Sequence, residues 1–241
     1  MMLTCDNRQV INLFKAGILR VNDMQFATLR KAMVDSQIRP NKVIDVQVIE
    51  AFSTVPRELF VSRQMQEMAY IDEDIHLSGG RFIIEAMVMA RMIQALKLVP
   101  SDNVMCIGAG TGYGAAILSS LAASVIAIET RTQMVEKAQQ IVASLDIGNV
   151  AVVKSRLQEG YPSEAFYQGI IIEGGVEYVP QALFDQLSDG GHLVSVLRMQ
   201  GVDVGEATLW HKHNGHVTSK ALFTAQVPVL DEFKLKPKFT F

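Results

Sequence analysis

The chain has 241 residues, with 22 lysines and arginines against 25 aspartates and glutamates, a formal charge of −3. Hydrophobic residues make up 49% and charged residues 20%, a globular balance that excludes disorder as the main state. No apolar run approaches the roughly 18 residues a membrane span needs, and the near-neutral charge argues against wholesale nucleic-acid binding, which calls for a basic face.

Cys5 and Cys106 are the only cysteines, too few and too far apart for a disulfide framework or a zinc site, so no metal is expected. The first 23 residues have a weak basic start and an interrupted apolar run, unlike a secretory signal. A cytoplasmic location is the resulting expectation. These residues are unlike the segment after them, and Met24 reads better as the natural first residue than as an internal one. Mass spectrometry of the native product, finding a chain that begins at Met1, would reject that reading.

In chain order, Phe26, Leu29, Met33 and Val34 recur at helical spacing, and Pro40 ends that helix. Asp45 is placed to cap a second helix reaching about Thr54, before Pro56. Residues 57–82 read as turns and loops, with acidic Asp72, Glu73 and Asp74 and the pair Gly79-Gly80. Met87, Met92, Ile93 and Leu96 mark a third helix. After Pro100 the pattern changes to strands alternating with helices. Strands are predicted at Asn103–Ile107, Ser124–Glu129, Asn149–Lys154, Gly169–Ile172 and Gly191–Leu197, with two more around Ala207–His211 and Val217–Val227. Helices are predicted at Tyr113–Leu121, Arg131–Leu145 and Val179–Leu187. Near-continuous apolar strands between helices indicate a parallel sheet covered on both faces. The fold class is therefore α/β, a doubly wound, mostly parallel sheet behind an N-terminal helical cap. The expected boundaries are an extension over 1–23, a cap and substrate-side region over 24–100, and a Rossmann-like domain over 101–241, cap and domain forming one unit.

The most informative stretch is Val104-Met-Cys-Ile-Gly-Ala-Gly-Thr-Gly-Tyr-Gly114. Gly108, Ala109, Gly110 and Gly112 lie between the first strand and the first crossover helix, where open α/β sheets bind ligands at the strands' carboxyl ends. Glu129 ends the next strand, where a carboxylate can accept from both hydroxyls of a ribose. The G-x-G-x-G spacing suits S-adenosylmethionine (SAM). A dinucleotide fingerprint survives only as Gly110, Gly112 and Ala115, and a purely structural turn is the third alternative.

Met33-Val-Asp-Ser-Gln-Ile38, Val55-Pro-Arg-Glu-Leu-Phe-Val61, Ala69-Tyr-Ile-Asp72, the glycine loop, Glu159-Gly-Tyr-Pro162 and Gln186-Leu-Ser-Asp-Gly-Gly-His-Leu-Val194 occur in that order. Together, from about Met33 to Leu230, they resemble protein-L-isoaspartate O-methyltransferases. The resemblance implies a SAM-dependent methyltransferase with a helical cap over its substrate site, acting on protein or peptide acceptors. The reaction implied is methyl transfer to the free α-carboxylate of an isoaspartyl residue, the start of protein repair.

The chain departs from the family's pattern before the third helix. The family reads G-x-T-I-S-Q-P where this chain has Gly80-Arg-Phe-Ile-Ile-Glu-Ala86, so Ile84 stands for the serine near the transfer centre and Glu85 for the next residue. Ile84 donates no hydrogen bond, and an ionised Glu85 would repel a substrate carboxylate by several kcal/mol at ~4 Å. Both are expected on the substrate side, with no catalytic residue assigned. Arg81 is expected to be solvated. After the third strand, Ser155-Arg156-Leu157 replaces G-D-G, which puts Arg156 and Leu157 beside the adenine with poorer complementarity. Gln168 stands where aspartate is common, and Cys106 where an acid is common; Cys106 reads as buried filler. Glu173 is expected either to bind substrate or to cap a helix. His211, His213 and His216 flank Asn214-Gly215 and read as hairpin histidines.

Overall fold

The computed structural model describes residues 21–235. Helix α1 (Val21–Met33) continues through a π turn at Val34–Ile38 and a short turn at Arg39–Asn41, where Pro40 halts it. Helix α2 (Val46–Thr54) starts at Asp45, whose carboxylate accepts from the backbone N–H of Gln47 and Val48 at 2.9 and 3.3 Å. That contact satisfies two of the donors a helix start leaves open. Residues 57–68 form single turns. The segment expected to be loop then contains a small antiparallel hairpin, β1 (Ile75–His76) with β2 (Phe82–Ile83). Each strand has two residues, too short to leave an alternation in the sequence. Helix α3 (Ala86–Leu96) follows.

The second half is one seven-stranded sheet in the order β5-β4-β3-β6-β7-β8-β9. Its strands are β3 (Asn103–Ile107), β4 (Ser124–Glu129), β5 (Val150–Lys154), β6 (Tyr167–Val176), β7 (Leu187–Leu197), β8 (Gly205–His213) and β9 (His216–Ala225). The first five pair in parallel, and β8 and β9 add on antiparallel. Helices α4 (Tyr113–Ser119), α5 (Thr132–Ser144) and α6 (Gln181–Asp185) make the crossovers. The α6 helix is shorter than predicted and β6 and β7 are longer, because Glu173–Val176 continues as extended chain beside β7. Asn214 and Gly215, both at positive φ, turn the β8–β9 hairpin. His211 stacks between His192 and His213.

One hydrophobic cluster runs from the cap (Val34, Phe52, Phe60, Ile84, Met89) across to Val104, Ala115 and Ile171. A second, with Met105, Ile107, Leu157, Ile172, Leu230 and Phe233, covers the other sheet face. Cap and sheet therefore share a core. The chain leaves β3 toward β4 on one side and returns through β6 on the other, so the sheet switches direction between β3 and β6. Crevices at such points are where α/β sheets take ligands. Among the described residues no helix is long and apolar enough to cross a membrane.

Candidate cofactor site

The glycine turn leaves β3 at this switch point. The N–H groups of Gly108 and Ala109 both donate to the Ile128 carbonyl, at 3.0 and 3.2 Å, which fixes the turn against β4. Gly108, Gly110 and Gly112 have φ of 76°, 53° and 94°, values that side chains larger than hydrogen rarely accept. Space is also tight: a Cβ on Gly110 would lie 3.1 Å from Leu77 Cδ1, and one on Gly112 3.3 Å from Ala138 Cβ.

Glu129 ends β4 beside that turn and is fully buried. Its Oε2 accepts from Gly110 N at 3.2 Å, and its Oε1 accepts from Thr130 N and Arg131 N at 2.7 and 3.2 Å. Arg81 takes what remains. Its Nε donates to Oε2 at 2.8 Å and its Nη2 to Oε1 at 2.9 Å, a bidentate pair with 1% and 0% exposure on its two sides. The same guanidinium reaches Glu232 at 2.7 and 3.1 Å and Thr130 Oγ1 at 3.1 Å. Burial alone would lower the Arg81 pKa, but these carboxylates raise it, so the charge is held. Burial works against ionisation of Glu232, and Arg81 overrides it to keep that carboxyl below its usual range.

The expectation of a solvated Arg81 is therefore overturned: it is the arginine around which the site closes. The cause is local. Gly79 and Gly80 turn at positive φ, and β2 returns against β1, so the side chain between them faces β4. The SAM fit follows from this. The glycine backbone suits a ligand that comes close, but Glu129 as arranged has no acceptor left for a ribose diol.

The other singled-out residues fall around this centre. Leu157 is fully buried, its Cδ1 3.7 Å from where a Gly108 Cβ would be, beside Leu230 Cδ1 at 3.2 Å. Arg156 is exposed and pairs with Glu159 at 2.8 Å. With Thr130, Lys154, Ser155 and Glu159 it borders a surface cleft of about 390 Å³ just beyond Glu129. Ile84 is fully buried in the core, and its carbonyl accepts from Arg57 Nη2 at 3.0 Å. Glu85 is half-buried; its N–H donates to Asp74 Oδ1 at 2.8 Å. Burial, and then the neighbouring Asp72 and Asp74, raise the Glu85 carboxyl. Arg57 itself is fully buried over the Tyr113 ring, 4.8 Å from its centroid, and ties down Ala69 O as well at 2.7 Å. Gln168 bridges Asn103 N and Ser188 Oγ, stitching β3, β6 and β7 together at their amino ends, away from the glycine turn.

Glu173 does not cap the following helix, which starts at Pro180. It is buried within β6, and its Oε1 accepts from Cys106 Sγ at 2.6 Å. Burial pushes its carboxyl up to about 8, despite the Cys106 hydrogen bond and Arg57, which pull the other way. The Cys106 thiol is raised well above its usual range by burial and by Glu173. A carboxyl thus stands beside Cys106 after all, supplied by the neighbouring strand.

A family model described as protein-L-isoaspartate(D-aspartate) O-methyltransferase matches residues 28–232. The chain belongs to that family. A relative named protein-L-isoaspartate O-methyltransferase 1, from Rhodopseudomonas palustris, is 39% identical over 70% of this chain and 69% of its own length. A protein-L-isoaspartate O-methyltransferase from Koribacter versatilis is 36% identical over 70% of this chain and 76% of its own. Among solved structures, a protein-L-isoaspartate O-methyltransferase superposes with a TM-score of 0.74 at 23% identity, covering 83% of this chain and 65% of that one. A Plasmodium falciparum protein described in the same terms, in complex with S-adenosyl-L-homocysteine, superposes with a TM-score of 0.69 at 18% identity, covering 86% of this chain and 98% of that one. By family this is a SAM-dependent methyltransferase, and SAM is the cofactor of the protein-L-isoaspartate O-methyltransferase family. The family match ends at Glu232, the residue that closes on Arg81.

Proposed function

We propose that this chain is a cytoplasmic, SAM-dependent methyltransferase for a protein or peptide acceptor, with turnover of isoaspartyl carboxylates well below that of an ordinary repair enzyme. On this reading Gly108, Ala109, Gly110 and Gly112 hold the methionine part of SAM and Glu129 its ribose. Arg156 and Leu157 flank the adenine, and residues 24–100 act as the cap of the 101–241 domain. A carboxylate is already a nucleophile, so the protein's task is alignment. The observation that carries the reduced isoaspartyl activity is Ile84, a buried hydrocarbon in place of the family serine. No hydroxyl stands there to meet the acceptor carboxylate, and Glu85, Asp74 and Asp72 surround the place with acid.

The test is methyl release from labelled SAM in the presence of an isoaspartyl peptide. Wild-type turnover should be at or near background. Ile84→Ser with Glu85→Gln should raise it about 10- to 100-fold, the worth of one hydrogen bond to a charged acceptor. Wild-type turnover equal to that of an active relative would overturn the reading. A second reading, a catalytically silent adaptor or regulator, draws its support from the Arg81–Glu129 pair; the double variant would then stay silent.

A further inference from the structure

We propose that Arg81 and Glu232 form a latch on Glu129, such that the Arg81 guanidinium and the ribose of SAM compete for one carboxylate. Cofactor entry then requires the β1–β2 hairpin and the 231–233 turn to part from β4. The inference rests on Glu129 being the ribose acceptor in the reading above. It goes further in making this family member a self-closed one.

The latch joins three segments far apart in sequence. Arg81 comes from the cap, Glu129 and Thr130 from the end of β4, and Glu232 from the chain after β9. Its fit is tight on every side. A Cβ at Gly79 would strike the Arg131 guanidinium at 2.2 Å, so the hairpin turn lies directly on the start of α5. On the other side, Val229 bridges Gly175, and Leu230 N donates to Gly175 O at 3.0 Å. This seats Leu230 across Gly174, where a Cβ would meet its Cγ at 2.5 Å.

Chemistry makes the two ligands of Glu129 exclusive. A ribose diol donates two hydrogen bonds to a carboxylate, and Arg81 already donates one to each oxygen. The backbone N–H groups of Gly110, Thr130 and Arg131 and the Thr130 hydroxyl complete the set. A bidentate guanidinium is a strong competitor in a site shielded from water. A buried carboxylate stripped of its partner is disfavoured, so without ligand the open form is a minor state. A site whose competent state is a minor fraction binds more weakly by that fraction.

The experiment is calorimetric titration of S-adenosyl-L-homocysteine into wild-type protein and the variants Arg81→Gln and Glu232→Gln. Glutamine at 81 stays polar but is shorter, and gives up the charge and the bidentate contact. Relief of a tenfold closed bias would tighten binding about tenfold in Arg81→Gln, with a smaller gain in Glu232→Gln. Unchanged or weaker binding in a folded Arg81→Gln protein would overturn the latch. Should that variant fail to fold, Glu232→Gln decides in the same way, because Glu232 lies at the rim. A failed latch leaves the methyl-transfer result untouched. A silent Ile84→Ser, Glu85→Gln protein leaves the affinity result untouched.

Discussion

Replacing Glu173 by Gln should change how stability depends on pH. The native carboxyl, pushed up to about 8, keeps its proton through neutral pH, whereas in the unfolded chain it releases it near the ordinary glutamate value of about 4.3. The native state thus binds a proton that the unfolded state has lost. Its stabilising contribution is complete below the unfolded value and drains away as pH rises toward 8. Above 8 both states are ionised and the slope vanishes. Between pH 5 and pH 7 the loss is ~3 kcal/mol. Glutamine is isosteric, still accepts from Cys106 Sγ, and has no proton to lose. Urea denaturation of both proteins at pH 5, 6, 7 and 8 should give similar stabilities at pH 5 and a growing advantage for Glu173→Gln above it. Equal slopes for the two proteins would refute the buried, protonated carboxyl.

Two further outcomes come from the same geometry. Gly114→Ala should destabilise by a few kcal/mol, since its Cβ would stand 2.0 Å from Glu173 Oε1, buried inside β6 with no free direction to move; thermal unfolding measures the loss, and adding Glu173→Ala should recover much of it. The Ile84→Ser, Glu85→Gln protein should gain isoaspartyl turnover while losing ~3 kcal/mol, because a fully buried isoleucine is exchanged for a hydroxyl; a melt run beside the methyl-release assay reports both.

Much of the scaffold was legible because its signals are periodic or obligatory. The β3, β4 and β5 strands are apolar runs, Asp45 caps by hydrogen bonding, and the glycines at 108, 110 and 112 occupy conformations few other residues adopt. The hairpin at 75–83 was not legible, since two-residue strands carry no alternation. The role of Arg81 is hidden in the sequence for a related reason. A charge next to two glycines looks like loop, and its partners lie 48 and 151 residues away. The signal that was present is the apolar run Phe82-Ile-Ile directly after it, which pulls Arg81 inward. Glu173 was legible as an acid at the sheet's ligand edge, but its partner Cys106 depended on strand order, which places β3 beside β6. The expected boundary at residue 23 falls inside α1, which starts at Val21, and residues 1–20 lie outside the described range.

On the proposed reading the glycine turn and Glu129 form a working cofactor site. The most direct measurement is titration of wild-type protein and Glu129→Ala with S-adenosyl-L-homocysteine. The wild type should bind, and Glu129→Ala should abolish that binding. Binding retained undiminished without the carboxylate, or no binding by the wild type or by Arg81→Gln, would contradict it.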